Sequence, residues 1–296
     1  MPPRPASDGH VALRGGVGGS VSGATWSPYC ADVGAVHVTY YTDPACPWSW
    51  AAEPALRRLL VEFGEDISIT YVMGGLAREF RTPVETMRHV LDAAAASGMP
   101  TDPRLWLDAP PVSSYPACQA VKAAGEQGLD AAYLRVVREG LMVDRLKLDG
   151  TVALTDAARR VPGLNVERFA IDLGSAAIVE AFGADMERAQ AAAREGERRV
   201  PFPSFALRGE DDDVHWLYDT TDPAELRRLA LAAGAAPRPL PGVVEAVRRF
   251  GRMGTPEVAA VCDRPGPLAA AELWRLAAEW QLRPERALTG ELWSAA

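Results

Sequence analysis

The sequence has little of what would assign it to several common functional classes. Its four cysteines, Cys30, Cys46, Cys118 and Cys262, are widely and irregularly spaced among 296 residues, so they form neither a disulfide framework nor a zinc-binding pattern. The four histidines show no ligand spacing, and no glycine-rich phosphate loop is present. We therefore expect no metal site and no tightly bound cofactor.

Basic charge and long apolar runs are also lacking. Lys and Arg number 31 against 39 Asp and Glu, which gives a formal charge of −8 and no general attraction for nucleic-acid phosphates or anionic lipid. No apolar stretch is long enough to span a bilayer, and the first residues lack the apolar core of a secretory signal. The sequence predicts a cytoplasmic protein whose partners are small molecules or other proteins, with no nucleic acid and no membrane.

What is present is an alternation of helical and strand patterns typical of an α/β fold. The first predicted segments are a flexible tail (1–34) and a strand–helix–strand unit (35–82). A block of four to six helices without strands (83–196) follows. Two short strands and a helix (197–234) come next, and a linker with a helical extension (235–296) is last. This order predicts one sheet interrupted by a helical insertion.

Cys46 stands at the turn between a predicted strand and a helix that begins near Pro47. Proline is tolerated at a first helical position because its missing N–H has no partner there. A sulfur at a helix start faces unpaired backbone N–H groups, whose partial positive charge favours the thiolate. The sequence therefore predicts a reactive cysteine with a lowered pKa.

Three short segments carry a resemblance to a known family: residues 43–50 (Asp-Pro-Ala-Cys-Pro-Trp-Ser-Trp), 113–120 (Ser-Ser-Tyr-Pro-Ala-Cys-Gln-Ala) and 202–205 (Phe-Pro-Ser-Phe). Together they resemble the DsbA-like thioredoxin-fold proteins, the group of FrnE-type oxidoreductases and of the adaptor that delivers the Spx regulator to the ClpXP protease. The resemblance covers about residues 36–233. It implies a thioredoxin-like core, a helical insertion that includes 113–120, and thiol-disulfide chemistry at Cys46.

The same resemblance implies a substrate groove beside the cysteine. The Phe202–Pro203 peptide bond would be cis and would set the Phe202 backbone next to the Cys46 sulfur, where it can pair with an extended substrate. Pro47 and Trp48 would line the groove. The alternative is that Pro203 simply begins a strand.

Ser49 departs from the family pattern, which usually has a second cysteine there. A serine hydroxyl cannot resolve a mixed disulfide at neutral pH, so three chemistries stay open: mixed disulfides with a small thiol such as glutathione or mycothiol, isomerisation of protein disulfides, and activation of a thiol cofactor in a transferase or isomerase of small molecules. In all of them Ser49 can donate a hydrogen bond to the Cys46 thiolate. The alternative for Ser49 is that it neutrally replaces a lost cysteine in a protein that no longer performs redox chemistry.

Other assignments follow from position alone. Cys118 is the candidate resolving thiol, with the inert buried cysteine as its alternative. Glu53, one helical turn beyond Ser49, is either a proton carrier for Cys46 or a favourable first-turn charge. A non-catalytic adaptor that holds a partner polypeptide around Cys46 and Pro203 is the second functional hypothesis.

The C-terminal extension loosely suggests a winged helix. From residue 238 onwards it contains eight arginines and seven acidic residues, a balance that argues against DNA binding because phosphate neutralisation needs a basic face. We instead expect protein contact, including a homodimer through Trp274, Trp280 and Trp293.

Overall fold

The computed structural model describes residues 35–211 and 213–296. The predicted flexible tail and Cys30 lie outside the described residues. The strands are β1 (Val36–Thr42), β2 (Ile67–Met73), β3 (Ser204–Arg208), β4 (Val214–Tyr218), β5 (Met253–Gly254), β6 (Leu282–Arg286) and β7 (Glu291–Ala295). The helices are α1 (Pro47–Ala51), α2 (Glu53–Phe63), α3 (Pro83–Ser97), α4 (Leu105–Asp108), α5 (Tyr115–Gly125), α6 (Asp130–Met142), α7 (Thr151–Ala158), α8 (Val166–Leu173), α9 (Ala176–Ala191), α10 (Pro223–Ala232), α11 (Val243–Phe250), α12 (Thr255–Val261) and α13 (Gly266–Ala278).

The main sheet has the strand order β2-β1-β3-β4. β1 pairs with β2 in parallel and with β3 antiparallel, and β3 pairs antiparallel with β4. One face of the sheet, which includes Val38, Tyr40, Phe205 and Leu207, is buried in the main hydrophobic core. The sequence expectation of a strand, helix, strand unit followed by a returning hairpin is confirmed.

The first predicted helix is divided into α1 and α2 at Ala52. Pro54 stands in the second helical position of α2, and because it lacks an N–H it cannot donate to the carbonyl four residues earlier. The chain therefore turns at Ala52, whose own N–H still donates to the Trp48 carbonyl at 3.0 Å. This break separates the short helix after Cys46 from the long helix that crosses the core.

Seven helices, α3 to α9, occupy the insertion in the described chain, one more than the upper limit predicted from sequence. The extra helix is α4, which is only four residues long. It lies in a proline-rich stretch that the sequence predicts to be a break between helices. It forms because Leu105 and Trp106 are buried, so packing and not periodicity decides its existence. No helix in the described part of the chain is both long and apolar enough to cross a membrane.

The C-terminal extension, predicted to be helical with a possible short strand at its end, contains three helices and a three-stranded sheet of order β5-β7-β6. The element order, helix, strand, two helices, two strands, is that of a winged helix. Trp293 is fully buried there and donates to the Thr255 hydroxyl at 2.9 Å, so its proposed part in a dimer surface is wrong. Trp274 and Trp280 are exposed, and a dimer through them stays a prediction.

The extension packs on the main core through a cluster of buried charges, which we call the ion cluster. α12 lies against α2, and Glu257 at the start of α12 accepts from Arg57 of α2 at 3.0 Å and from Arg135 of α6 at 2.9 Å. Arg135 also binds Glu53 at 3.0 Å and Glu139 at 2.7 Å. Each acidic partner of Arg135 is therefore paired with a cation while it is largely buried.

Candidate active site

Cys46 lies where β1 ends and α1 begins. It is the N-cap residue of α1, with extended backbone angles (φ −77°, ψ 116°) and Pro47 in the first turn. Its carbonyl accepts from the Trp50 N–H at 3.2 Å, and its own N–H donates to the Asp43 carbonyl at 3.2 Å. The loop and the helix thus fix the cysteine from both sides, as the sequence predicts.

The Cys46 thiol is buried in the resting structure, with 3% of its surface exposed. Burial raises its pKa above the ordinary value, while the nearby Ser49 hydroxyl and the backbone N–H groups of Ser49 and Trp48 act to lower it. The nearby Asp43 carboxylate adds to the increase. The expectation of a lowered pKa is therefore wrong for the resting state, because desolvation exceeds the effect of the helix start.

The Ser49 hydroxyl is completely buried on the same side of α1. It has no hydrogen-bond partner of normal geometry among the described residues, although it is near enough to the Cys46 sulfur to lower the thiol pKa. A buried hydroxyl without a partner is costly. Conversion of the thiol to a thiolate would give this hydroxyl a charged acceptor.

The Phe202 carbonyl lies directly beside the cysteine and accepts from the Cys46 Sγ at 3.6 Å. The Phe202–Pro203 peptide bond is cis, and β3 begins immediately after it. The Phe202 ring fills the space over Gly74, where an added Cβ would lie 1.9 Å from the ring. Glycine at position 74 therefore makes room for the ring.

An aromatic surface extends from Cys46 across the end of the sheet. Trp48 is half-buried, and Trp216 and Tyr218 of the edge strand β4 are half-buried in the same apolar cluster. The Trp216 ring stacks on Tyr41 at 5.6 Å and on Tyr218 at 5.1 Å. Trp48 is predicted from the sequence, but Trp216 and Tyr218 are not. These two residues are two positions apart on β4, so their side chains lie on the same face of the strand.

Cys118 is hydrogen-bonded to Asp43, a residue for which the sequence predicts no role. The Asp43 carboxylate accepts from the Cys118 Sγ at 3.2 Å, from the Ser114 hydroxyl at 2.8 Å and from the backbone N–H of Leu76 at 2.5 Å. Burial and this carboxylate hold the pKa of Cys118 well above its ordinary value. Cys118 is thus a protonated donor in a structural network, an environment unfavourable to a resolving thiolate. An Asp-Pro pair before the cysteine is the sequence signal for such a turn.

Glu53 does not serve Cys46 as a proton carrier. Its carboxylate binds Arg138 at 2.5 Å and Arg135 at 3.0 Å. Burial raises its pKa, but the charges of Arg135, Arg138 and Arg57 outweigh this and leave the pKa below the ordinary value. Glu53 is therefore ionised and belongs to the ion cluster.

The described cysteines, Cys46, Cys118 and Cys262, are all free. Among the residues that the structure describes, no three His, Cys, Asp or Glu side chains converge on a metal-sized site. The site that the structure assembles contains Cys46, Pro47, Trp48, Ser49, Phe202 and Pro203 together.

A strand-to-helix cysteine opposite a cis-proline, on a four-stranded sheet with a helical insertion, defines a thioredoxin-type site. A family model described as Thioredoxin matches residues 40–193, just over half of the chain. The chain belongs to this family, which confirms the thioredoxin-type resemblance and the fold class expected from sequence; its likeness to DsbA-like proteins of known structure is one of fold.

Similar proteins include one relative known by sequence and two solved structures. The ClpXP adapter protein SpxH of Halalkalibacterium halodurans is 33% identical over 159 residues, 50% of this chain and 52% of the relative. The chain therefore spans about half the length of the curated relatives that it matches.

Among solved structures, the cytosolic disulfide reductase DsbM from Pseudomonas aeruginosa has a TM-score of 0.56 at 22% identity, covering 66% of this chain and 97% of DsbM. DsbM has also been solved with GSH. A putative protein disulfide isomerase from Nitrosomonas europaea has a TM-score of 0.56 at 18% identity, covering 67% of this chain and 96% of that protein. At these identities the likeness concerns the fold.

Proposed function

We propose that the protein is a thiol-disulfide oxidoreductase or isomerase that acts through Cys46 alone, on mixed disulfides of small thiols or on protein disulfides. The observation that carries the proposal is the Cys46 sulfur at the start of α1, between the Phe202 carbonyl and the unbonded Ser49 hydroxyl. A disulfide reductase and a putative disulfide isomerase among the proteins of similar fold agree with it. DsbM is described as cytosolic, and we propose the same reducing compartment for this chain.

The resting contacts indicate how substrate binding activates the thiol. An extended substrate that offers a backbone N–H to the Phe202 carbonyl takes the acceptor now used by the Cys46 Sγ. The thiol then loses a proton more easily, and the thiolate gains hydrogen bonds from the Ser49 hydroxyl and the N–H groups of Trp48 and Ser49. Binding and activation would thus be coupled through one carbonyl oxygen.

Because position 49 is a serine, the cycle needs an external thiol. The Cys46 thiolate attacks one sulfur of the substrate disulfide, a new disulfide to Cys46 forms, and the other sulfur leaves as a thiolate that takes up a proton. A small thiol, such as glutathione or mycothiol, then attacks the sulfur bound to Cys46 and restores the thiolate. In isomerisation the substrate's own second thiol performs this step.

The test compares Cys46→Ser with Cys262→Ser, which removes a half-buried thiol outside the site. We expect Cys46→Ser to abolish reduction of a glutathionylated peptide and refolding of a protein with scrambled disulfides, and Cys262→Ser to retain both. Intact mass spectrometry of the wild type is expected to show a disulfide adduct on Cys46. Full activity of Cys46→Ser would exclude an enzymatic function that depends on the Cys46 thiol.

The adaptor is the second candidate, and the aromatic surface of Trp48, Trp216 and Tyr218 is the observation that favours it. The relative SpxH is a ClpXP adapter protein, and an adaptor would hold its partner polypeptide on this surface without turnover. Trp216→Ala is then expected to weaken binding of an Spx-type regulator, while Cys46→Ser leaves that affinity unchanged. Weaker binding in Cys46→Ser with unchanged binding in Trp216→Ala would instead support the enzymatic function.

A further inference from the structure

A cleft of about 700 Å³ opens beside the proposed site. It is lined by Gly74, Gly75 and Leu76 on one side and by the segment 197–201 on the other, the segment that leads into Phe202. Because the Phe202 carbonyl accepts a hydrogen bond from the Cys46 Sγ, the cleft begins at Pro201, the residue directly before this contact.

Three arginines line this cleft: Arg78, Arg198 and Arg199. Arg78 and Arg198 are exposed, and over residues 35–211 and 213–296 no carboxylate forms an ion pair with any of the three. The one acidic residue of the lining, Glu197, is paired with Arg194. In a chain of net charge −8, the cleft thus concentrates positive charge that no carboxylate of the described residues pairs with.

Arg199 connects this charge to the site. Its guanidinium lies 4.4 Å from the centre of the Phe202 ring, and its Nη2 donates to the Leu76 carbonyl at 3.2 Å. Its Nη1 is buried without a hydrogen-bond partner in the described structure, a costly arrangement that an acceptor oxygen would relieve. The planar guanidinium suits a carboxylate, which accepts two parallel hydrogen bonds.

The geometry points to an anion subsite that binds the carboxylate of a small, peptide-like thiol while its cysteine reacts with Cys46. This inference rests on the proposed function and specifies its substrate class. An extended peptide rises about 3.3 Å per residue, so a carboxylate one or two residues from a cysteine at Cys46 lies roughly 3–7 Å from that cysteine, a reach that suits a cleft beginning at Pro201. The subsite thus favours a tripeptide thiol such as glutathione over mycothiol, whose cysteine is joined to neutral sugars.

The chemistry balances with glutathione as the only co-reactant. The Cys46 thiolate attacks the glutathionyl sulfur of a mixed disulfide, the bond between that sulfur and Cys46 forms, and the freed substrate thiolate is protonated. A second glutathione thiolate then attacks the glutathionyl sulfur on Cys46, which releases glutathione disulfide and regenerates Cys46. The subsite would hold the first glutathionyl group in both steps.

The first test measures binding without reaction, using S-methylglutathione and its diester, in which both carboxylates are masked. We expect S-methylglutathione to bind the wild type and its affinity to fall about tenfold in the double variant Arg78→Gln/Arg198→Gln, the loss of one or two charge-assisted hydrogen bonds. The matched control is Arg88→Gln/Arg228→Gln, which removes the same charge from exposed arginines outside the cleft. Equal affinity in both double variants, or equal binding of ester and acid, would overturn the inference.

The second test measures the rate at which Cys46 forms a mixed disulfide, by intact mass spectrometry, with glutathione disulfide and with the neutral bis(2-hydroxyethyl) disulfide. In the Arg78→Gln/Arg198→Gln variant the ratio of the two rates is expected to fall about tenfold relative to wild type. An unchanged ratio with a reactive Cys46 overturns the subsite alone. If Cys46 reacts with neither disulfide, the proposed function fails, and the binding measurement still decides the subsite.

Discussion

The active site and the ion cluster are both buried and both rich in polar groups, but they differ in how many of those groups have partners. In the ion cluster each carboxylate has at least one cationic partner, and Glu257 also accepts from the Gly254 N–H at 2.6 Å. Around Cys46, the Ser49 hydroxyl and the Arg199 Nη1 have no hydrogen-bond partner in the described chain.

This difference separates polar residues that stabilise the fold from those available to a ligand. A buried donor without a partner raises the free energy of the folded state, so the active site is less stable than it could be. The ion cluster joins α2, α6 and α12 and pairs each of its carboxylates, and among the described residues the Nε of Arg138 is its one buried donor without a partner. Four substitutions test the comparison.

The largest effect is expected in the ion cluster. Glu257→Gln removes the charge that neutralises Arg57 and Arg135, so we expect the free energy of unfolding in urea to fall by about 3–5 kcal/mol. The control is Glu279→Gln, which breaks the exposed pair with Arg275 and is expected to cost less than about 1 kcal/mol. Equal losses in the two variants would mean that the cluster contributes no more than a surface ion pair.

Gly74→Ala tests the packing of the active site. The added Cβ would lie 1.9 Å from the Phe202 ring, so the ring must move, at an expected cost of about 1–3 kcal/mol in unfolding free energy. Gly183→Ala is the matched control, because its Cβ meets no atom within 4 Å on α9, and we expect it to be neutral or stabilising by about 1 kcal/mol. A neutral Gly74→Ala would show that this site tolerates displacement of Phe202.

Cys118→Ser tests the protonated thiol through pH. The folded-state pKa of Cys118 is raised by burial and by Asp43, so the folded state keeps a proton that the unfolded state loses above about pH 8.5. Stability from this group is therefore full below that pH and decreases as pH rises. Between pH 8.5 and 9.5 we expect the wild type to lose about 1 kcal/mol more unfolding free energy than Cys118→Ser. Any loss of packing caused by the substitution is the same at both pH values, so it cancels in this comparison. Parallel pH profiles of the two proteins would contradict a raised pKa of Cys118.

Ser49→Ala is expected to have the smallest effect. Removal of the hydroxyl raises the Cys46 pKa, because the thiolate loses a donor, and the rate of alkylation by iodoacetamide at pH 7 should fall about two- to fivefold. Ser97→Ala, on α3, removes a hydroxyl that donates to the Ala93 carbonyl and should leave the rate unchanged. A faster rate in Ser49→Ala would assign the hydroxyl a different role.

The sequence predicted the local features well because they depend on short patterns. The strands around 36–41 and 67–73, the start of α1 at Pro47 and the capping of α10 by Asp222, whose side chain accepts from the Ala224 N–H at 2.8 Å, all follow from neighbouring residues. The cluster of Cys46 with Phe202 and Pro203 followed from the family resemblance.

Features that depend on distant contacts escaped prediction. Arg78 and Arg199 line one cleft although they stand 121 positions apart, and nothing in either local pattern distinguishes them from surface arginines. The sheet of β5, β6 and β7 is built from short segments, of which β5 has two residues, and pairing partners are not visible in periodicity. The pKa of Cys46 also depends on burial by residues far along the chain.

Helix α2 belongs to two hydrophobic cores at once. All eleven of its residues are buried, with Leu59 in the main core and Val61 in the core of the C-terminal extension. Neither core can open fully while the other keeps this helix in place, so the two should unfold as a single cooperative unit. The amide protons of α2 would then exchange with solvent only through global unfolding.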